Sequence, residues 1–396
     1  MIYDFDTPIE RRATDSEKWG KYAEDVIPMW VADMDFRSPQ PVIQALHQRI
    51  EHGVFGYPDG GFNDDPNELK KLRQLVVERL FEKYCWKIHP EDMIFIPGVV
   101  VGLNLSCHTH AVPGDSVLVQ PPVYFPILKV PENSGMQRQE NELRHNPDGS
   151  YDVDMDAFEA TMNEQTRLFI LCNPHNPVGR VYRRDELERM AEICLRHRIA
   201  ICSDEIHCDL LYSGQKHIPI ASLDPEIAQN TITLIAPTKT YNIPGLQGAI
   251  AVIPNSELRR KFLQAGLGLN GWTNLLGLVA MRTAYQHGQE WLEQLLVYLE
   301  RNRNYLFDYV QAELPSINMV MPEGTYLAWL DCRGSVFQDD PYRAFLTKAK
   351  VALGDGRVFG TGGRGFVRLN YACPKSTLIE GLNRMKVALK AASQSS

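Results

Sequence analysis

The sequence has no uncharged apolar run reaching the ~18 residues of a membrane-spanning helix, so it predicts no membrane partner. Basic charge is also scarce. Lys and Arg number 41 against 49 Asp and Glu, for a formal net charge of -8. Such a chain gains no electrostatic help toward nucleic acid or anionic lipid. Its densest basic stretches, 180–184 and 259–261, hold three basic residues each and read as solvated faces. None of the 8 cysteines forms a C-x-x-C pair, and Cys172 and Cys202 sit inside apolar runs. That pattern points to buried reduced thiols rather than disulfides or zinc. Residues 1–8 carry two Asp and no apolar core of a signal peptide. These absences predict a cytoplasmic protein with no nucleic-acid partner.

What is present is ordinary globular composition, 44% hydrophobic and 23% charged over 396 residues. That length suits two or three domains at ~150 residues each. Apolar runs at 93–96, 116–119, 167–172, 199–202 and 231–235 each stop at polar or turn-forming residues. A helical stripe of Leu187, Met190, Ile193 and Cys194 lies between the third run and the fourth. This βαβ rhythm predicts a largely parallel sheet covered by helices on both faces. The texture changes near residue 285. Residues 274–287 and 289–314 read as helices broken at Gly288, and Leu292, Leu295, Leu299, Leu306 and Val310 keep a helical rhythm. Strand signals at 326–330 and 366–371 flank a helix around 341–350. The expected division is a segment 1–45 packing with the C-terminal unit, a large domain 46–285 and a small α+β domain 286–396.

Ligands of open parallel α/β sheets bind beyond the carboxyl ends of the strands. The polar residues just after the apolar runs are Gly98-Val99-Val100, Tyr124, the turn 173–176, Asp204 with His207, and Lys239. Singly, each has a plainer reading: a solvated lysine, a helix-capping Asp, a rigid Asn-Pro loop. Together, in order on successive strand ends, they are the parts that pyridoxal 5′-phosphate requires. A lysine amine can condense with its aldehyde. A carboxylate keeps the pyridine nitrogen protonated, so the ring can withdraw electrons from a substrate Cα. Asn and Tyr side chains can serve the ring oxygen, and an aromatic ring can stack on the pyridine. Free N–H groups where a helix opens suit a phosphate, and Thr238 adds a hydroxyl.

The segments Asn173-Pro-His-Asn-Pro-Val-Gly-Arg180, Ser203-Asp-Glu-Ile-His-Cys-Asp209 and Ala236-Pro-Thr-Lys-Thr-Tyr-Asn-Ile-Pro-Gly245 resemble those of fold-type I pyridoxal-phosphate enzymes. The nearest group is the MalY/PatB-type C–S β-lyases, which include cystathionine β-lyases and cystalysin. Trp30-Val-Ala-Asp-Met-Asp-Phe36, Phe55-Gly-Tyr-Pro58, Pro97-Gly-Val-Val100, Pro122-Val-Tyr-Phe-Pro126, Pro322-Glu-Gly-Thr-Tyr-Leu327 and Phe366-Val-Arg-Leu-Asn370 extend the resemblance over nearly the whole chain. It implies the aspartate aminotransferase-like α/β fold, with a mostly parallel seven-stranded sheet in the large domain and a smaller α+β C-terminal domain. It implies that Lys239 carries the cofactor and moves the Cα proton, and that Tyr124 stacks on the ring and shares in catalysis. Asp204 would pair with the pyridine nitrogen, with His207 as its neighbour. Asn176 would bind the ring oxygen, and Val99, Val100 and Thr238 would line the phosphate cup. Tyr57 would reach the phosphate of a neighbouring subunit, making a homodimer the active unit. Arg368, with Ala32, would hold the substrate carboxylate. The alternation along 366–371 puts Arg368 on one face with Phe366 and Asn370.

Departures matter as well. Many aminotransferases of this fold place a phosphate-gripping arginine where this chain has Gln247, which favours a lyase. Cystalysin-like enzymes have a second tyrosine where Phe125 stands. Trp272 lies in a looser match expected to shape the substrate pocket. The run Gly360-Thr-Gly-Gly-Arg-Gly365 fits G-x-G-x-x-G but precedes a strand rather than a helix, so it reads as a flexible loop beside Arg368 and not as a dinucleotide site. His108 and His110 lack partners at ligand spacing, and no metal is expected. Asp33 and Asp35 read as shaping a loop at the site's mouth. The expected reaction is β-elimination from L-cysteine conjugates, with an aminotransferase as the alternative.

Overall fold

Seven short strands build the central sheet: β1 (Met93–Ile96), β2 (Ser116–Val119), β3 (Gln137–Glu140), β4 (Thr166–Cys172), β5 (Ala200–Asp204), β6 (Thr231–Ile235) and β7 (Ala249–Val252). They belong to a computed structural model that describes residues 2–58, 68–110, 112, 114–268, 271 and 273–394. Their order across the sheet is β1-β7-β6-β5-β4-β2-β3. The run from β3 to β6 is parallel. Strand β7 is antiparallel to both its neighbours, so β1 points the same way as β6. The carboxyl ends of β1, β2, β4, β5 and β6 therefore open on one edge. Helices cover both faces, which is why β6 is buried at every position. The helix Val99–His110 lies so close that a Cβ on Gly102 would come within 2.7 Å of the Ile96 and Leu234 side chains.

Five of the seven strands match the apolar runs of the sequence. The two that do not have clear reasons. Strand β3, Gln-Arg-Gln-Glu, is at the sheet edge, where one side of each residue meets water and no apolar side chain is demanded. Strand β7, Ala-Ile-Ala-Val, is apolar but follows directly on the tight turn at Gln247 and Gly248 and, being antiparallel, stands outside the βαβ rhythm.

Beyond it, helix Leu275–His287 and the 25-residue helix Gln289–Glu313 meet at Gly288. The second buries Trp291, Leu292, Leu295, Leu299, Leu306 and Val310 along one stripe. It leads to an antiparallel sheet of β8 (Asn318–Met319), β9 (Leu327–Asp331), β10 (Gly354–Asp355) and β11 (Phe366–Asn370), in the order β8-β9-β11-β10. The glycine-rich loop before β11 is close-packed rather than loose. A Cβ on Gly356 would fall 2.2 Å from the Gly363 carbonyl oxygen, and Gly360, at φ 90°, presses on Leu128 and Pro121. No helix among the described residues is long and apolar enough to cross a membrane.

The N-terminal segment joins this second unit. Ile27–Pro28 pairs in parallel with Val351–Ala352. Phe5 packs edge-on against Phe36 and Trp291. Residues 29–36 then run as a strap, with Asn370 N donating to Met29 O and Asp35 N to Ala372 O, both at 2.9 Å. An ionic cluster anchors the strap. Arg11 bonds Asp33 and Asp35 at 2.6 Å each, and Asp35 also accepts from Lys18 and from Trp19 Nε1 at 2.8 Å. Lys18 is 1% exposed, so its charge depends on that partner. Asn242, three residues past Lys239, closes the other side by donating to Met34 O and Phe36 O.

Asp35→Ala would leave Lys18 buried without its nearest counter-charge. We expect a loss of about 3 kcal/mol in urea unfolding, as for a broken buried pair. A loss of ~0.5 kcal/mol, the scale of a surface pair, would show that the cluster does not anchor the strap.

Candidate active site

Lys239 stands on the single helical turn Pro237–Thr240, directly after β6. Its Nζ donates to Ala32 O at 2.7 Å. Removal from water lowers its pKa to about 8; Arg368 adds to the shift, and Asp33 and Asp204 oppose it. The turn is held from behind, where Thr240 Oγ1 donates to Asp209 at 3.2 Å. Asp209 in turn pairs with Arg79 and Lys83.

Asp204 closes β5 and is 3% exposed. Among the described residues its carboxylate takes one hydrogen bond, from Ile206 N at 3.1 Å. Burial raises its pKa to about 7, the Ile206 bond pulls the other way, and nearby Glu205 adds to the rise. His207 is buried beside it without a hydrogen bond to it. Burial, then the charges of Lys239 and Arg368, lower its pKa to about 3, so the ring is neutral.

Arg368 projects from β11 with 6% exposure. Its Nη1 donates to Asn176 Oδ1 at 2.9 Å and its Nη2 to Trp30 O at 2.8 Å. Phe359 lies under the guanidinium, 4.9 Å from carbon to ring centroid. Burial lowers its pKa to about 10. The bond to Asn176 joins the small sheet to the loop after β4, and leaves the Asn176 amide nitrogen to donate elsewhere. Tyr124 N donates to Asn176 O at 2.9 Å, so the stacking candidate is tied to the same loop. The Tyr124 phenol is shifted up by burial, with Arg368 opposing.

Val99 and Val100 begin the helix after β1, where the first-turn N–H groups have no partners within the helix. Gly248 N donates to Pro97 O at 2.6 Å, tying the Gln247 turn to this helix start. Thr238 is buried in the turn of Lys239. The structure thus brings Lys239, Asp204, Asn176, His207, Arg368 and Ala32 together, with Tyr124 attached through Asn176. Tyr57 stands apart at 88% exposure within this chain. Trp272 lies outside the described residues.

Three residues of this cleft were not singled out from sequence. Tyr326 OH donates to Ala32 O at 2.8 Å, on the same carbonyl as Lys239. Asn370 Nδ2 donates to Val31 O and Asp33 O, both at 2.6 Å. Thr325, just before Tyr326, holds φ 67° although β-branched. A signal existed for Asn370, which the two-residue period places on the face of Arg368. For Tyr326 and Thr325 the motif was visible, but the partner carbonyl lies some 290 positions away.

A model of the class I and II aminotransferase family matches residues 24–385. The chain is 41% identical to cystathionine beta-lyase PatB of Bacillus subtilis (strain 168), over 97% of this chain and 99% of that protein. It is 33% identical to protein MalY of Escherichia coli (strain K12), over 98% of this chain and 100% of that one. Among solved structures, cystalysin from Treponema denticola, which contains a pyridoxal 5′-phosphate cofactor, superposes with a TM-score of 0.92 at 32% identity, over 99% of this chain and 100% of that one. Similar to these proteins in fold and over nearly its whole length, the chain belongs to the class I and II aminotransferase family and, within it, to the group that contains PatB and MalY.

Proposed function

We propose that the protein is a cytoplasmic, pyridoxal 5′-phosphate-dependent C–S β-lyase that cleaves L-cystathionine or related L-cysteine S-conjugates to a thiol, pyruvate and ammonia. One observation carries this reading: Lys239 lies within electrostatic reach of the buried Asp204 and Arg368, in a chain similar from end to end to a cystathionine beta-lyase. In the same reading residues 46–285 hold the cofactor, and 286–396 with 1–45 bring Arg368 and the strap to it.

The residues present fit that cofactor. Asp204 is a buried carboxyl short of a cationic partner. His207 Nδ1, Arg368 Nε and Asn173 Nδ2 are buried without hydrogen-bond partners among the described residues. Polar atoms enclosed in this way mark a site made for a polar ligand. Asp204 would hold the ring nitrogen, Asn176 the ring oxygen and Tyr124 the ring face. Val99, Val100 and Thr238 would take the phosphate. When bound, the pyridine ring supplies an electron sink for a carbanion at the substrate Cα.

The chain's own groups do the rest. Arg368 is buried and rigidly held, so its fork can bind the substrate carboxylate in one orientation, with Ala32 alongside. Lys239, lowered to about 8, has about a tenth of its amine neutral at pH 7, far more than an ordinary lysine, and can take the Cα proton. The electron pair left at Cα then expels the thiolate from Cβ. Gln247 leaves the phosphate cup without the arginine common in aminotransferases, which supports the lyase over that alternative. The exposed Val54, Phe55 and Tyr57, at 61%, 59% and 88%, support a homodimer in which Tyr57 of a second copy reaches the phosphate. Sedimentation velocity should find a dimer, and a monomer with full activity would sink that part of the reading.

Incubation of the cofactor-loaded protein with L-cystathionine should release pyruvate and free thiol in equal amounts, and Lys239→Ala should release neither. Amino-acid product from an added 2-oxo acid, without pyruvate, would move the assignment to an aminotransferase. A second expectation concerns Asp204 in cofactor-free protein. Its folded pKa of about 7 exceeds the ordinary 3.8. The unfolded chain therefore loses this proton first, and the stability contribution, complete below pH ~4, is lost as pH rises through about 7. Apo Asp204→Asn should match apo wild type near pH 4 and exceed it by about 4 kcal/mol well above pH 7, while binding the cofactor more weakly. Equal pH dependence of the two proteins in chemical unfolding would refute the assigned protonation.

A further inference from the structure

Ala32 O accepts two hydrogen bonds, from Lys239 Nζ at 2.7 Å and from Tyr326 OH at 2.8 Å. A carbonyl oxygen has two lone pairs, so this one is fully used. Tyr326 is 0% exposed, and burial, reinforced by Asp33, pushes its phenol well above the ordinary range. It stays a neutral O–H and a standing donor.

The surroundings of Tyr326 are fixed to an unusual degree. Thr325 holds φ 67°, a conformation that is strained for a β-branched residue. It is retained because Thr325 O accepts from Tyr212 OH at 2.6 Å, Tyr371 OH in turn donates to Tyr212 OH at 2.7 Å, and Thr325 N donates to Leu210 O at 2.8 Å. Tyr371 N also donates to Tyr326 O at 3.1 Å. Strain held this firmly next to a reactive group points from geometry to function. A hydroxyl buried this fully needs an acceptor, and the one it takes lies on the strap, on the carbonyl that also receives Lys239.

We propose that Tyr326 is a positioning residue for the proton transfer at Cα: by fixing the Ala32 carbonyl, it sets where the free amine of Lys239 waits and where its lone pair points. The inference rests on the assignment of Lys239 as the group that takes the Cα proton. A neutral amine has two N–H bonds and one lone pair. With one N–H held by Ala32 O, the lone pair turns away from the strap. When it accepts the Cα proton the nitrogen becomes an ammonium, the former C–H electron pair stays with the substrate carbon, and the bond to Ala32 O becomes charge-assisted and stronger. The same carbonyl thus orients the base and steadies the charge it acquires. The other charged groups facing Lys239 are Arg368, Asp33 and Asp204, and Tyr326 donates its hydroxyl to none of them but to Ala32 O.

The test is Tyr326→Phe, which keeps the buried ring and deletes only the hydroxyl. The readout is exchange of the Cα proton of L-alanine in D2O, followed by NMR on the cofactor-loaded protein. L-Alanine has no leaving group, so the exchange reports proton transfer independently of any lyase activity. We expect the maximal exchange rate to fall about tenfold, the scale of one lost oriented hydrogen bond. The half-saturating L-alanine concentration should stay within about twofold. An unchanged rate, or a change confined to half-saturation, would overturn the proposal, because a merely structural tyrosine would alter binding or stability instead. Wild-type protein that exchanges the proton but yields no pyruvate from L-cystathionine would count against the lyase reading alone.

Discussion

Lys239, Arg368 and Asp204 are drawn out of water in one cleft, and burial presses each toward its uncharged form, to about 8, about 10 and about 7. Two cations and one carboxylate cannot satisfy one another there. The strap supplies the balance through four consecutive carbonyls. Trp30 O accepts from Arg368, Val31 O and Asp33 O from Asn370, and Ala32 O from Lys239 and Tyr326. Carbonyl dipoles are fixed acceptors that need no reorganisation when a proton moves, which is the property a proton-transfer site requires. The rest of the cleft depends on keeping that row of oxygens in place.

The anchoring around the strap follows from this need. A bent stretch of backbone with its carbonyls turned to side chains has no sheet ladder of its own. It is held by Asp35, Lys18, Arg11 and Trp19 on one side and by Asn242 on the other. Asn242 belongs to the segment of Lys239, so base and strap are tied through covalent chain as well as through the Ala32 bond. Arg368 performs the same service between the two sheets by bonding Asn176. Arg368, Asn176 and Lys239 are thereby referred to a common frame, and misplacement of any one would be felt by the others.

Much of this was legible in the sequence where the governing physics is local. Parallel strands buried on both faces must be apolar throughout, so β1, β2, β4, β5 and β6 stood out as uninterrupted runs. Their carboxyl ends then nominated Asp204 and Lys239 before any coordinates. The 3.6-residue period disclosed the long helix Gln289–Glu313. The polar edge strand β3 escaped for want of an apolar run, and β7 because, being antiparallel, it falls outside the βαβ rhythm. The glycine run at 360–365 read as loose because glycine is permissive, whereas its glycines are needed for close packing.

The sequence by itself determined the strand ends, the residue types gathered there and, through the resemblance of its motifs, the chemistry they serve. Those features depend on neighbours along the chain. Only the tertiary structure decided that Tyr326 and Lys239 share one carbonyl, that Arg368 finds Asn176, and that Asp33 and Asp35 belong to a buried ionic anchor. Each of the first two contacts joins residues roughly 190 to 290 positions apart, and the Asp35 anchor forms only once Lys18 is buried against the strap. Hydrogen bonds and ion pairs of that kind are set by the packing of whole elements, which no local period or composition encodes.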